Sequence, residues 1–326
     1  MGTLQQGTLG RGKINRQSRG FLGRVLACPL LKRRMRVTMP DLEPVTHILT
    51  TPDGQRLHCP SWLPEGKMQA GVVLVHGVGE HSGRYEGVTK TLLERGIALH
   101  GGDLRGHGRS TGRRAHIGRW DEYREDLRQR LEHLQKTEAG GKPLFLMGHS
   151  LGALVVLEAA VTRAMPVAGL IVSGAPIHPA GVAKPHLILF ARVLSVVWPT
   201  LRLRLPLRVR DLVSDEVAQT AWAEDPLLFS GVTARWGVEA MAAVERVKAG
   251  ASSIKVPLLV LHGGLDPVND KTGAEALFQA AGSQDKELKI YARSRHEPHN
   301  DIERAVMMED LAGWVEARIE GAKAAV

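Results

Sequence analysis

The sequence predicts an α/β fold: a mostly parallel central sheet flanked by helices, with an inserted helical cap. Three observations carry that reading. Continuous apolar runs such as Val72-Val73-Leu74-Val75, Leu144-Phe145-Leu146-Met147 and Leu258-Leu259-Val260-Leu261 suit strands buried on both faces of a parallel sheet. Longer segments of helical pattern alternate with them, as in doubly wound folds. Between Gly174 and about Val247 the alternation stops, over a length too great for a plain loop.

The elements follow in order. Residues 46–50 and 55–60 are strand candidates separated by Pro52-Asp53-Gly54, which reads as an antiparallel hairpin. Further strands are expected over 71–75, 97–100, 143–147, 169–173, 257–261 and 288–291. Helices are expected over 84–95, 119–136, 151–164, 270–282 and 300–320. The last places Ile302, Val306, Leu311, Trp314 and Val315 close to helical spacing. The chain then divides into a basic extension (1–40), a first core part (41–175), a cap or lid (176–247) and a second core part (248–326). No internal repeat is evident.

Charge separates the extension from the body. The 326 residues carry 43 Lys+Arg against 34 Asp+Glu, a formal net charge of +9. Nine basic residues and no acidic one fall in 1–40, so the remainder is formally neutral. A nucleic-acid-binding role for the folded body is therefore disfavoured. The extension is expected to be disordered, with Met35 and Met39 as alternative starts. Its apolar stretch from Phe21 to Leu31 is interrupted by Arg24, which disfavours a secretory signal, and it is too short to span a bilayer. A basic segment of this kind also suits weak attraction to anionic lipid. A cytoplasmic protein, with peripheral contact at the inner membrane surface through cap and extension, is the expectation. Hydrophobic residues at 43% and charged residues at 24% are globular values. Cys28 and Cys59 cannot form a disulfide framework, and no Cys/His spacing resembles a zinc site, so neither metal nor cofactor is expected.

Gly148-His149-Ser150-Leu151-Gly152 is a G-x-S-x-G pattern, and so is Gly108-Arg109-Ser110-Thr111-Gly112. Context separates them. Ser150 follows an apolar strand and precedes a helix rich in Ala, Val and Leu, the setting that thrusts a serine oxygen outward on a strained elbow. Ser110 has no strand before it and reads as a decoy. A serine hydroxyl is a weak nucleophile near neutral pH and needs a base, itself held by an acid. His296, five residues past Tyr291, is the expected base. His299 competes, but reads as a surface or capping residue at the start of the last helix. Asp266, at the carboxyl end of the 257–261 strand, is the expected acid, whereas Asp270 suits a helix cap. The order Ser, Asp, His is that of the α/β-hydrolases. Backbone N–H groups of Leu151 and Val78 are the expected oxyanion donors, the latter from His76-Gly77-Val78-Gly79.

The run His76-Gly77-Val78-Gly79-Glu80-His81-Ser82-Gly83-Arg84-Tyr85 resembles the signature of monoglyceride lipases and related bacterial lysophospholipases. Asp103-Leu104-Arg105-Gly106-His107-Gly108-Arg109-Ser110, Asp225-Pro226-Leu227, His296-Glu297 and Asn300 match that pattern too, so the resemblance covers roughly 43–320. It implies the α/β-hydrolase fold, a cap, and hydrolysis of single-chain acyl esters without metal or cofactor. It also assigns Ser110 to a structural loop. Ala153 departs from a common second glycine, and the cap's 201–210 stretch is unusually basic. Monoacylglycerol leads as the substrate, followed by lysophospholipid and then short-chain esters; a non-catalytic ligand-binding protein on this fold is the answer from another class. Lipid ester and water are the expected partners, and the oligomeric state is left open.

Within the cap, His186 to Trp198 is apolar nearly all round and reads as a lid helix, with Leu189, Phe190 and Val193 lining the acyl site. Arg202, Arg204, Arg208 and Arg210 alternate with apolar residues, as on one face of an extended segment.

Overall fold

The computed structural model describes residues 42–179, 185–205 and 207–323, with side chains left undescribed at 185–190, 320, 322 and 323. The basic extension, together with its expected disorder and membrane contact, lies outside the described residues.

Eight strands form the main sheet: β1 (Val45–Thr50), β2 (Arg56–Trp62), β3 (Ala70–Val75), β4 (Ile97–His100), β5 (Leu144–His149), β6 (Gly169–Ser173), β9 (Leu258–Gly263) and β10 (Lys286–Tyr291). Their order is β1-β2-β4-β3-β5-β6-β9-β10. β1 and β2 form the antiparallel hairpin, turning at Gly54, and β2 joins β4 antiparallel. All the remaining neighbours are parallel. The period of two explains why the runs are apolar throughout. Val73, Val75, Leu144, Leu146, Leu258 and Val260 enter one core, while Val72, Leu74, Phe145, Met147, Leu259 and Leu261 enter the other.

Helices α1 (Glu86–Leu93) and α9 (Arg304–Lys323) cover one face. The other face is covered by α2 (Asp121–Lys136), α3 (Leu151–Thr162), α7 (Ala234–Gly250) and α8 (Lys271–Ala280). Helix α9 starts at Arg304, later than expected. Its inward stripe is therefore Met307, Leu311, Trp314, Val315 and Ile319, whereas Ile302 and Val306 are exposed.

The insertion holds α4 (Pro185–Val197), β7 (Arg202–Leu203), α5 (Val209–Leu212), α6 (Glu216–Glu224), β8 (Val232–Thr233) and then α7. The expected cap boundary at 247 falls inside α7. That helix packs Trp236, Ala240, Ala243, Val244 and Val247 into the sheet-covering core, so it is half insertion and half core layer. At its centre the fully buried Glu158 of α3 accepts from Arg124 of α2 (2.8 Å) and Arg246 of α7 (2.7 Å), locking three helices together. The 201–210 segment is not one strand. β7 pairs with β8 for two residues only, and Arg210 belongs to α5. Exposure nevertheless alternates: the four arginines face out, and Leu203, Leu205 and Leu207 turn inward. Among the described residues, no helix is long and apolar enough to cross a membrane.

Candidate active site

Three strand ends converge. Ser150 follows β5, Asp266 follows β9 and His296 follows β10, all at the carboxyl edge of the parallel sheet. His296 Nε2 lies 2.9 Å from Ser150 Oγ, and its Nδ1 lies 2.8 Å from Asp266 Oδ2. The second Asp266 oxygen accepts from the backbone N–H groups of Val268 (2.8 Å) and Asn269 (3.1 Å), which fixes the carboxylate plane.

Ser150 sits at φ 51° and ψ −113°, one of two non-glycine residues with positive φ among those described. Its turn closes because its glycine neighbours let backbone approach backbone. A Cβ at Gly152 would stand 1.9 Å from the Val75 carbonyl oxygen, and one at Gly148 would stand 2.4 Å from that of Gly152. Leu151 opens α3, so its N–H has no intrahelical acceptor. Leu151 and Val78 both line the cavity beside Ser150.

Ser110 is placed otherwise. Its buried hydroxyl donates to the Asp103 carbonyl (2.6 Å) and accepts from the His58 N–H (2.9 Å), pinning the loop after β4 to the hairpin. Asp270 caps α8 by accepting from Thr272 N–H. His299, in contrast, is neither exposed nor a cap. It is buried, stacks on Tyr85 with ring centroids 4.5 Å apart, and meets His149 edge-on. The local sequence could not reveal this, because the last helix starts five residues further on and leaves His299 in the turn that follows His296.

Missed altogether is a buried charge network. Arg84 reaches both oxygens of Glu297 (3.0 and 2.9 Å) and one of Glu80 (2.8 Å). Glu80 also accepts from the Tyr85 hydroxyl (2.9 Å) and from the Gly77 N–H. Glu297, next to His296, donates its own N–H to the Leu212 carbonyl of α5 (2.9 Å). The network thus ties the loop of Val78, the loop of His296 and the insertion together. Burial opposes the Glu297 charge, but Arg84 overrides it and holds that carboxyl below the usual range. At His296 burial likewise disfavours the imidazolium, and the Asp266 charge and hydrogen bond more than compensate, raising its pKa.

A cavity of about 680 Å³ opens over Ser150. Its lining is mostly apolar, with Leu154, Leu203, Leu205, Leu207, Trp236 and Met241 among its walls, and also includes Glu80, Arg84 and Glu297. Of the expected cap residues, Leu189 and Phe190 have side chains outside the described set. Val193 is a correction: it is half exposed and absent from the lining, to which Ala191 of the same helix contributes instead. A helix that is apolar all round does not betray which face points inward.

Residues 66–303 match the family described as Serine aminopeptidase, S33. The chain is 33% identical to the monoglyceride lipase of Homo sapiens over 278 residues, covering 83% of this chain and 90% of that protein. It is 30% identical to Phospholipase YtpA of Bacillus subtilis, covering 72% and 90% respectively. The crystal structure of Paleococcus ferrophilus monoacylglycerol lipase superposes with a TM-score of 0.74 at 29% identity, covering 80% of this chain and 99% of that one.

Two outcomes follow for these contacts. Gly152→Ala forces the start of α3 off the β3 backbone, so kcat/KM on a soluble ester is expected to fall by about 10²-fold or more. A wild-type rate in the folded variant would reject that account of the elbow. Arg84→Met leaves two buried carboxylates unpaired and is expected to cost about 3–5 kcal/mol in urea unfolding. A loss below about 1 kcal/mol would count against the network.

Proposed function

The chain belongs to the serine aminopeptidase S33 family of α/β-hydrolases, and from that premise we propose that it hydrolyses monoacylglycerols through an acyl-enzyme on Ser150. It is a serine hydrolase of the lipase and esterase kind. The observation carrying the narrower reading is the mostly apolar lining of the cavity on the serine, with Glu80, Arg84 and Glu297 among it. Its volume falls in the range of small-molecule sites, roughly 300–1,000 Å³. The leucine, tryptophan and methionine walls suit one acyl chain, and the Glu80–Arg84–Glu297 cluster suits a hydroxylated head group.

The chemistry follows the distances. His296 Nε2 removes the Ser150 proton as Oγ attacks the ester carbonyl, and Asp266 holds the ring by Nδ1. The negative charge on the carbonyl oxygen is met by the N–H groups of Val78 and Leu151. The imidazolium gives its proton to the departing glycerol oxygen. Water then enters, loses a proton to His296 and attacks the acyl carbonyl, and Ser150 recovers its proton as the fatty acid leaves. No metal or cofactor takes part in this scheme.

A lysophospholipid substrate is the second reading, favoured by one observation. Arg208 reaches the cavity lining, and Arg202, Arg204 and Arg210 are exposed on the same segment, where a phosphate would find cations. Arg208 already holds Asp211 at 2.9 Å, which partly neutralises it.

A panel of monoacyl-, diacyl- and lysophospho-glycerides tests both readings. Monoacylglycerol is expected to give the highest kcat/KM, and Ser150→Ala to lower kcat by on the order of 10⁴–10⁶-fold. Preference for the lysophospholipid would transfer the assignment to the second reading, and absence of a fluorophosphonate adduct on Ser150 would remove both. The pH profile checks the base. His296 must be neutral to accept the proton, and its pKa is raised above the ordinary value of 6.5 by Asp266. Hence kcat/KM on a soluble short ester should rise with pH along an acid limb centred above 6.5 and then level off. Asp266→Asn should move that limb to lower pH while lowering kcat by about 10⁴-fold; an unmoved limb would deny Asp266 its role.

A further inference from the structure

At the far edge of the sheet, His47 of β1, His133 in the last turn of α2 and Glu138 just beyond it each place a potential ligand atom within 4.8 Å of the other two. None of the three lines the catalytic cavity. We propose that they bind one divalent transition-metal ion of the zinc type, which staples the β1–β2 hairpin to α2.

The polar atoms there are poorly served without a ligand. His133 Nε2 is buried and makes no hydrogen bond, a costly state for such a group, and buried Glu138 Oε1 has no hydrogen-bond donor either. His47 Nε2 approaches Glu138 Oε1 to 2.7 Å without the alignment of a hydrogen bond. A supporting shell is in place. The other carboxylate oxygen, Oε2, meets Nδ1 of the buried His100 at 3.0 Å, and that nitrogen also lies 3.1 Å from Ser61 Oγ. Carboxylates that ligate metals are commonly oriented in this way.

Two imidazoles and one carboxylate form a borderline donor set that suits zinc rather than magnesium or calcium, and three protein ligands leave a fourth position for water. Bond lengths of about 2.0–2.2 Å in a tetrahedral site set the ligand atoms roughly 3.4 Å apart, so the wider separations within the 4.8 Å envelope must close while the His47–Glu138 pair, at 2.7 Å, opens. His47 can supply that movement, since its side chain is 41% exposed on the edge strand. Sequence spacing conceals the site, because only the fold brings His47 of β1 to the His133–Glu138 pair at the end of α2.

The test uses the full-length chain without an affinity tag, stripped by chelator and titrated with Zn²⁺ against a chromophoric zinc chelator. One Zn²⁺ per chain is expected, with a rise in thermal midpoint. His133→Gln should weaken binding by about 100-fold or more and abolish that rise. Ser61→Ala, acting through His100, should weaken it by about 10-fold. His47→Gln, on the half-exposed edge, repeats the test if the α2 variant does not fold, and ester hydrolysis reports folding of each. Co²⁺ in place of Zn²⁺ should give the visible absorption of a tetrahedral site. Affinity unchanged in both histidine variants would place the ion elsewhere and overturn the proposal. Absence of saturable binding would overturn it too, leaving the trio a plain His–Glu ion pair.

Discussion

Ser150 is held at φ 51° and ψ −113°, a conformation that costs an L residue on the order of 1–3 kcal/mol and persists only where its surroundings over-determine it. Here they do. On one side β5 pairs with both β3 and β6, and the Ser150 N–H itself donates to the Ser173 carbonyl (2.8 Å). On the other side α3, with nine buried residues, sits against β3 so closely that only glycine fits at 152. The strain is therefore offset by the packing of the sheet centre, and it aims Oγ at the loop after β10. Asp266 and His296 arrive at that point because β9 and β10 extend the same parallel sheet. A doubly wound sheet gathers strand ends on one edge, and the elbow turns that edge into a reactive one.

The Arg84 network gives the same edge its rigidity. It joins Glu80, Arg84 and Glu297 across 213 residues of sequence, and so ties the loop of Val78 to the loop of His296. Asp301, fully buried, adds a second tie: it accepts from the Arg295 N–H (2.7 Å) and from the Ser214 N–H of the insertion (2.8 Å). The insertion is thus fastened directly to the loop of His296.

What the sequence disclosed follows from range. Strands buried on both faces announce themselves by apolar runs, and Ser150 and Asp266 each stand a few residues beyond one, whereas His296 follows the partly exposed edge strand β10 and was read from its place late in the chain. The helix α7 was not, since Trp236, Ala240, Ala243, Val244 and Val247 merge into an apolar, alanine-rich stretch whose helical stripe has no clear start. His299 was misjudged because its environment is supplied by Tyr85 and His149 from distant segments. The arginines of 202–210 were read as one strand face. They do share an outward direction, yet β7 stops after two residues, and the alternation reflects leucines drawn into the cavity rather than a ladder of hydrogen bonds.

Electrostatics around His296 depends on histidines that stay neutral. His149 lies 4.9 Å from His296 between ring centroids, and His299 lies 4.8 Å from His149. Burial, reinforced by neighbouring positive charge, holds the His149 pKa well below its ordinary value. Burial likewise brings His299 down to about 4. Were His149 charged, a second positive charge some 5 Å from the imidazolium would cost about 3 kcal/mol at an effective dielectric of about 20, or two orders of magnitude in rate. Two carboxylates against one guanidinium leave the Glu80–Arg84–Glu297 cluster formally at −1, and both carboxylates raise the His296 pKa after Asp266. Burial thus keeps the neighbouring histidines uncharged, while Asp266, with Glu297 and Glu80 behind it, outweighs the burial of His296 and favours its imidazolium.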